Sequence, residues 1–211
     1  MHLLRAQGGV VDDGAEAVDL GLDPADIVVL SHADTELALL ARARQRLGDE
    51  APDLRLVNLS RLRHHLSVDT FVERTIERSR LVVVRLLGGE ASWSYGLERL
   101  ATVCRSGKIA LVVLPGDDRP DPALARLSTV EPAPVLRLWA YLVEGGVENA
   151  RHFLLAARAL LDGGAMPPEA VTVARAGIHR QSGMDAPRVT IVFYRALVLA
   201  EDLAAVDTLF E

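Results

Sequence analysis

The chain has 211 residues, 50% of them hydrophobic and 25% charged. That is ample apolar material for a core and sets aside disordered and fibrous classes. A formal net charge of −6 gives no overall attraction to nucleic acid, whose phosphates are bound by clustered cations. The single cysteine, Cys104, admits no intramolecular disulfide, and the opening MHLLRAQGG lacks a secretory pattern. The longest apolar runs, such as Ile109 to Leu114, fall far short of the roughly 20 residues that cross a bilayer. A cytoplasmic protein with neither a nucleic-acid nor a membrane partner is expected.

Along the chain, short β-branched runs alternate with stretches of helical period, the pattern of a parallel sheet with crossover helices. Strands are expected at His2 to Gln7, Ile27 to Leu30, Leu54 to Asn58, Leu81 to Leu86 and Ile109 to Leu114. Unbroken apolar runs such as IVVL and LVVV fit strands covered on both faces. Between them Asp34 is placed to cap a helix reaching Leu47, Ser67 or Asp69 one reaching Ser79, and Ser92 a third. The third carries Leu97, Leu100, Ala101 and Cys104 on one face, so Cys104 reads as a buried small hydrophobe rather than a nucleophile. The expected fold is α/β: a doubly wound, mostly parallel five-stranded sheet of flavodoxin-like kind, with helices on both faces.

Beyond the fifth strand Pro115, Pro120, Pro122, Pro132 and Pro134 mark a largely irregular excursion. Helices are expected from Val135 to Glu144 and from Val147 to Leu161. The run GGAMPP from Gly163 to Pro168 then reads as a linker. The division that follows is an N-terminal α/β domain over 1–165, a linker over 166–174, and over 175–211 the first strand-helix step of a second α/β unit. That step places a strand at Arg188 to Tyr194 and a helix at Ala200 to Phe210. With no partner strand following, the second unit reads as truncated; the other reading is a C-terminal extension packed on the first domain.

In an open parallel sheet ligands sit beyond the carboxyl ends of the strands, so the loops there carry the functional candidates. After the second strand, SHADTE offers His32 as a metal ligand or proton shuttle. After the third come Arg61, Arg63, His64 and His65, and adjacent histidines do not form the i, i+4 pair of a helical zinc site. Seven arginines between positions 55 and 85 face only Asp69, Glu73 and Glu77, a locally basic stretch able to steer a carboxylate-bearing ligand or simply to solvate helix faces.

After the fourth strand comes GGEASWSYG, from Gly88 to Gly96. Its paired glycines let the backbone approach a ligand and lead into a helix start suited to an anion. Trp93 and Tyr95 either wall a site for a flat ligand or pack against neighbouring loops. The loop is neither a Walker loop nor GxGxxG, and no nucleotide site is expected. After the fifth strand Asp117, Asp118 and Asp121 hold a hard cation or merely shape a turn. With no GxSxG, HExxH or paired CxxC, hydrolase and zinc-site chemistries have no anchor. What the residues describe is an α/β ligand-binding or interaction module without an evident catalytic centre.

The blocks MHLLRAQGG, DPADIVVLSHADTEL, LRLVNLSRLRHHLSVDTFVERT, VVVRLLGGEASWSYGLERL, LVVLPGDDRPDP, RLWAYLVEGGVENA and VTIVFYRAL resemble, in that order, the N-terminal part of the cobaltochelatase large subunits, the CobN family. A weaker likeness is to the large subunit of magnesium chelatase. The resemblance implies a role in aerobic cobalamin biosynthesis, in which cobalt is inserted into the tetrapyrrole hydrogenobyrinic acid a,c-diamide. ATP, with Mg, would be hydrolysed on two smaller AAA+-type partner subunits while the large subunit holds the tetrapyrrole. Cobalt is then a substrate of the whole enzyme, a ligase forming nitrogen–metal bonds. This chain would need no cofactor of its own and would be inactive alone. No family motif assigns catalytic residues here. For the tetrapyrrole, residue chemistry nominates Gly88, Gly89, Trp93, Tyr95, Arg61, Arg63 and Arg85; for a metal, His32, His64, His65, Asp117 and Asp118. The alternative role is a non-catalytic docking or structural domain that contacts the ATPase subunits or closes the tetrapyrrole cavity.

Overall fold

The structure is a computed structural model in which residues 16–181 and 190–211 are described. The strand expected at His2 to Gln7 lies outside those residues. The other four strands form: β1 (Ile27–Ser31), β2 (Leu54–Asn58), β3 (Leu81–Leu86) and β4 (Ala110–Pro115). They make one sheet in the order β2-β1-β3-β4, and each neighbouring pair is parallel. Every residue of β1 and β3 is buried, which is why these two central strands are apolar but for Ser31 and Arg85 near their carboxyl ends. β2, at the sheet edge, is buried at Leu54 and Val57 and only partly so between them. Ile27 sits in register with Leu54 on one side and Leu81 on the other, and Leu81 with Ala110. The carboxyl ends of all four strands therefore reach one edge together.

Six helices cover the two faces. On one lie α1 (Asp34–Leu47), α5 (Pro132–Glu144) and α6 (Val147–Asp162); on the other lie α2 (His65–Arg74), α3 (Ser94–Gly107) and α4 (Pro122–Ala125). Alternate strand residues serve the two cores. Ile27, Val29 and Val83 pack with Leu40, Leu138 and Phe153, whereas Val28, Leu30 and Val84 pack with Phe71, Leu97 and Leu100. Each such side chain, fully buried, contributes about 1.5–3 kcal/mol. Because α1 carries the chain one way from β1 and α2 carries it back the other way to β3, strand order reverses between β1 and β3. The crevice beyond that point is where an open α/β sheet receives a ligand.

Helix starts differ from expectation. Ala33, not Asp34, precedes α1; Asp34 is its first residue and accepts a hydrogen bond from Asn58 Nδ2 at 2.6 Å, with its charge at the favourable end of the helix dipole. His64 caps α2, its Nδ1 accepting from the Leu66 N–H at 3.1 Å. Ser67 is buried instead and accepts from the Val18 N–H. α2 ends at Arg74, and the next turn, Ile76–Arg78, tightens to a 3-10 helix. Ser92 does not cap α3: its hydroxyl donates to the Gly89 carbonyl within a 3-10 turn, Glu90–Trp93, that precedes the helix. The proline-rich stretch is more ordered than expected, since Asp121 caps α4 through the Ala123 and Leu124 N–H groups and Pro132 opens α5 at a position that needs no N–H donor.

The stretch expected as a linker lies against α5 and α6. Tyr141 Oη donates to the Pro168 carbonyl at 2.6 Å, and Asn149 exchanges two hydrogen bonds of 2.8 Å with the Val171 backbone. The described part of the strand expected at Arg188 to Tyr194, residues 190–194, is unpaired. Val192 and Tyr194, 89% and 85% exposed, meet no neighbouring strand that would complete a ladder. An unexpected short helix, α7 (Arg195–Leu199), precedes the helix expected from Ala200 to Phe210, which starts only at Ala204, as α8 (Ala204–Phe210).

Candidate functional site

Two clefts open at the carboxyl edge of the sheet, and His32, just past β1, lines both. The first sits at the strand-order reversal. Ser31, Glu36, Leu39, Arg85, Gly116 and Leu142 are among its walls, and it encloses about 400 Å³. Arg85 organises it. The guanidinium pairs with the Glu36 carboxylate and donates to the carbonyls of Pro115 at 3.2 Å, Gly116 at 3.1 Å and Leu142 at 3.3 Å. Both side chains of the pair are about nine-tenths buried, and burial pulls Arg85 down to about 10, still protonated at neutral pH. Arg85 was nominated to bind substrate. Its hydrogen bonds join β3 to the β4 loop, α1 and α5.

The chain itself forms the outer wall of this first cleft. Ala196, Leu199 and Ala200 line it. Arg195 donates to the carbonyls of Ala174, Glu144 and Val173 at 2.9, 2.8 and 3.0 Å, Arg42 donates to the Ala200 carbonyl, and Arg46 pairs with Glu201. Gly145, at φ +68°, gives α7 room: a Cβ there would stand 2.7 Å from Leu199 Cδ1.

The second cleft, also about 400 Å³, lies between the starts of α2 and α3, with Arg63, His65, Ser92, Trp93, Ser94 and Tyr95 among its lining. The Asn58 side chain accepts from the Ser60 N–H at 2.8 Å and starts the 3-10 turn Leu59–Arg61; Arg61 and Arg63 are both exposed, and Arg63 lines the cleft. His65 stacks on Tyr95, ring centroids 3.8 Å apart and planes 13° from parallel. The Tyr95 hydroxyl donates to Asp69 at 2.8 Å, and Arg99 Nε donates to the same carboxylate at 2.7 Å. The Tyr95 hydrogen bond first, and Arg99 with it, hold Asp69 below the usual carboxylate range, and the same bond raises Tyr95.

Trp93 and Tyr95 both line the second cleft, but Trp93 is packed while Tyr95 carries the stack. Trp93 is buried, with its indole N–H donating to the Leu62 carbonyl at 2.9 Å. Its ring occupies the space beside Gly96, where a Cβ would fall 2.1 Å from Cε2. Gly88 and Gly89, at φ +93° and +73°, reverse the chain after β3 and line neither cleft. Their positive φ is a turn requirement.

The nominated metal residues stand apart. His32 Nδ1 is buried without a hydrogen-bond partner, and burial first, then Arg63, hold the imidazole below its ordinary 6.5. His64 is spent as a cap and His65 on Tyr95. The Asp117 carboxylate accepts from the Arg119 N–H at 3.1 Å, and Asp118 pairs with Arg175 at 2.9 Å. Among the described residues no three His, Cys, Asp or Glu side chains group as a metal site. Cys104 is buried as expected, with burial pushing its thiol up to about 12. Glu36, Asp69 and Arg99 were missed by sequence reasoning. The signal for Glu36 lay in LVVVRL, where a cation inside an apolar strand requires a buried counter-charge.

No family model matches the chain. It is 43% identical over 232 aligned residues to aerobic cobaltochelatase subunit CobN from a Sinorhizobium species, across 100% of this chain and 18% of that protein. It is 44% identical over 155 residues to aerobic cobaltochelatase subunit CobN from Pseudomonas aeruginosa, across 72% of this chain and 12% of that one. Among solved structures, the catalytic subunit of cobaltochelatase from Mycobacterium tuberculosis matches with a TM-score of 0.65 and 25% identity, over 88% of this chain and 15% of that chain. The chain spans less than a fifth of the length of these relatives.

Proposed function

We propose that this chain, similar over its whole length to part of aerobic cobaltochelatase subunit CobN, is the N-terminal segment of the large subunit of an ATP-dependent cobaltochelatase and helps to hold its tetrapyrrole, hydrogenobyrinic acid a,c-diamide. The observation that carries this reading is the 43% identity across 100% of the chain. Such identity over the full fold is a statement about shared ancestry and leaves chemistry to be argued from the site. The site is compatible with the role. Its open cleft offers an exposed arginine, Arg63, and a stacked ring pair, groups suited to acid substituents and to a flat macrocycle. Cobalt is a substrate of the whole enzyme in this reading, ATP and Mg belong to two smaller AAA+-type partners, and the chain alone inserts no metal. No described helix is long and apolar enough to cross a membrane, and the cytoplasm is the proposed compartment. The division at 166–174, with 175–211 beginning a second unit, belongs to the same proposal.

One observation favours the second reading, a docking domain: Leu66 and Leu87, 56% and 62% exposed, project at the same edge as the clefts and would suit a protein partner. Mixing the purified chain separately with the tetrapyrrole and with the ATPase subunits distinguishes the two. A saturable change in tetrapyrrole absorbance without partners supports the substrate role. Partner binding with unchanged tetrapyrrole absorbance replaces it with docking.

A further inference from the structure

We infer that the open cleft between the starts of α2 and α3 is a receptor for a carboxylate carried on a flat body, with Arg63 and His65 as N–H donors to the carboxylate and the His65–Tyr95 stack as the platform for the body. The inference deepens the proposed function, and rests on it only for the identity of that body.

Four observations converge on the cleft. Its lining contains Arg63, two histidines and two serines, and no Asp or Glu. The acid in the ring network, Asp69, is already held by Tyr95 and Arg99, so its charge is compensated before an anion arrives. Arg61 and Arg63 have no carboxylate partner among the described residues, whereas Arg55, Arg74, Arg80 and Arg99 each meet one. Two neighbouring cations without a carboxylate partner, Arg63 among them lining the cavity, give it a positive local field. Finally, the competing cleft at the strand-order reversal is lined in part by α7, and its guanidinium is already engaged by Glu36 and three carbonyls.

The arrangement also explains the hydrogen bond from Tyr95 to Asp69. With its hydroxyl fixed, the phenol ring cannot rotate away from His65, so the platform is rigid before a ligand arrives and little ordering cost falls on binding. A planar guanidinium can grip a carboxylate through two parallel N–H bonds, which an ammonium cannot match. A neutral amide of the same shape would lose that charge-assisted pair.

Benzoate and its neutral isostere benzamide test this on the 211-residue chain, observed by NMR at the Arg63 guanidinium, the His65 imidazole and the Trp93 indole. Benzoate is expected to shift all three saturably in the millimolar range, benzamide at least tenfold more weakly. Arg63→Gln should weaken benzoate at least tenfold, Arg63→Lys should restore only part of the affinity, and Arg105→Gln, on the far end of α3, should change nothing. Equal responses to the two probes, or wild-type benzoate binding by a folded Arg63→Gln protein, would overturn the inference. Measuring the tetrapyrrole on the same samples separates the two readings. Benzoate bound and tetrapyrrole ignored keeps the receptor and removes the proposed substrate; tetrapyrrole bound equally by wild type and Arg63→Gln removes the receptor and keeps the substrate.

Discussion

A guanidinium set into an apolar strand has to be matched, and at Arg85 the match is Glu36 together with three carbonyls. Removing one partner of such a buried pair leaves the other charged and alone, at a cost of about 3–5 kcal/mol, while replacing both with apolar residues recovers most of it. Denaturant unfolding of Arg85→Leu, and of Arg85→Leu combined with Glu36→Leu, is expected to show that asymmetry; equal loss in both proteins would mean that the carbonyl contacts, not the charge pair, dominate. His32 makes a prediction about pH. Burial and, secondarily, Arg63 hold its folded-state pKa below 6.5, so the unfolded chain takes up this proton at a higher pH than the folded one. Its contribution to stability is complete above pH 6.5 and is lost as the pH falls from there through the folded-state value. Arg63→Gln removes the smaller cause and should move the His32 titration, followed by NMR, part of the way up towards 6.5; an unmoved titration would remove Arg63 as a cause.

At the start of α3 the packing of Trp93 against Gly96 leaves no space for a side chain. Gly96→Ala should therefore push the indole out of place and cost about 1–3 kcal/mol, the usual range for overpacking, with Trp93 emission shifting red as its bond to Leu62 is lost. Unchanged emission and stability would show that the ring has another place to go. Elements were legible where one side-chain property decides them. The four described strands lie within a residue or so of their apolar runs, and Leu97, Leu100, Ala101 and Cys104 are all buried. Caps were not legible, because Asp34, Ser67, Asp69 and Ser92 have the right chemistry for a cap and are all drawn to other partners, three of them distant in sequence. The clefts were half legible. The loops after β1, β2 and β3 do build them, but the burial of Arg85 depends on Glu36 from α1 and the Leu142 carbonyl from α5, and the covering of Trp93 on the Leu62 carbonyl, partners distant in the chain.

Across the whole molecule, two helical layers hold a parallel sheet whose carboxyl edge carries both clefts, one covered by the chain's own C-terminal segment and one open. The open cleft, with Arg63 in its lining, is the place proposed for the tetrapyrrole. The most direct measurement is a titration of the 211-residue protein with hydrogenobyrinic acid a,c-diamide, recording macrocycle absorbance and tryptophan emission. Trp93 lines the open cleft, whereas Trp139 sits on α5 with its indole N–H donating to the Asp117 carbonyl at 3.2 Å, so a Trp139→Phe protein reports from the cleft alone. Saturable absorbance change with matching quenching of Trp93 is the predicted result. A folded protein that leaves both signals unchanged across the titration would contradict the account and assign tetrapyrrole binding elsewhere in the large subunit.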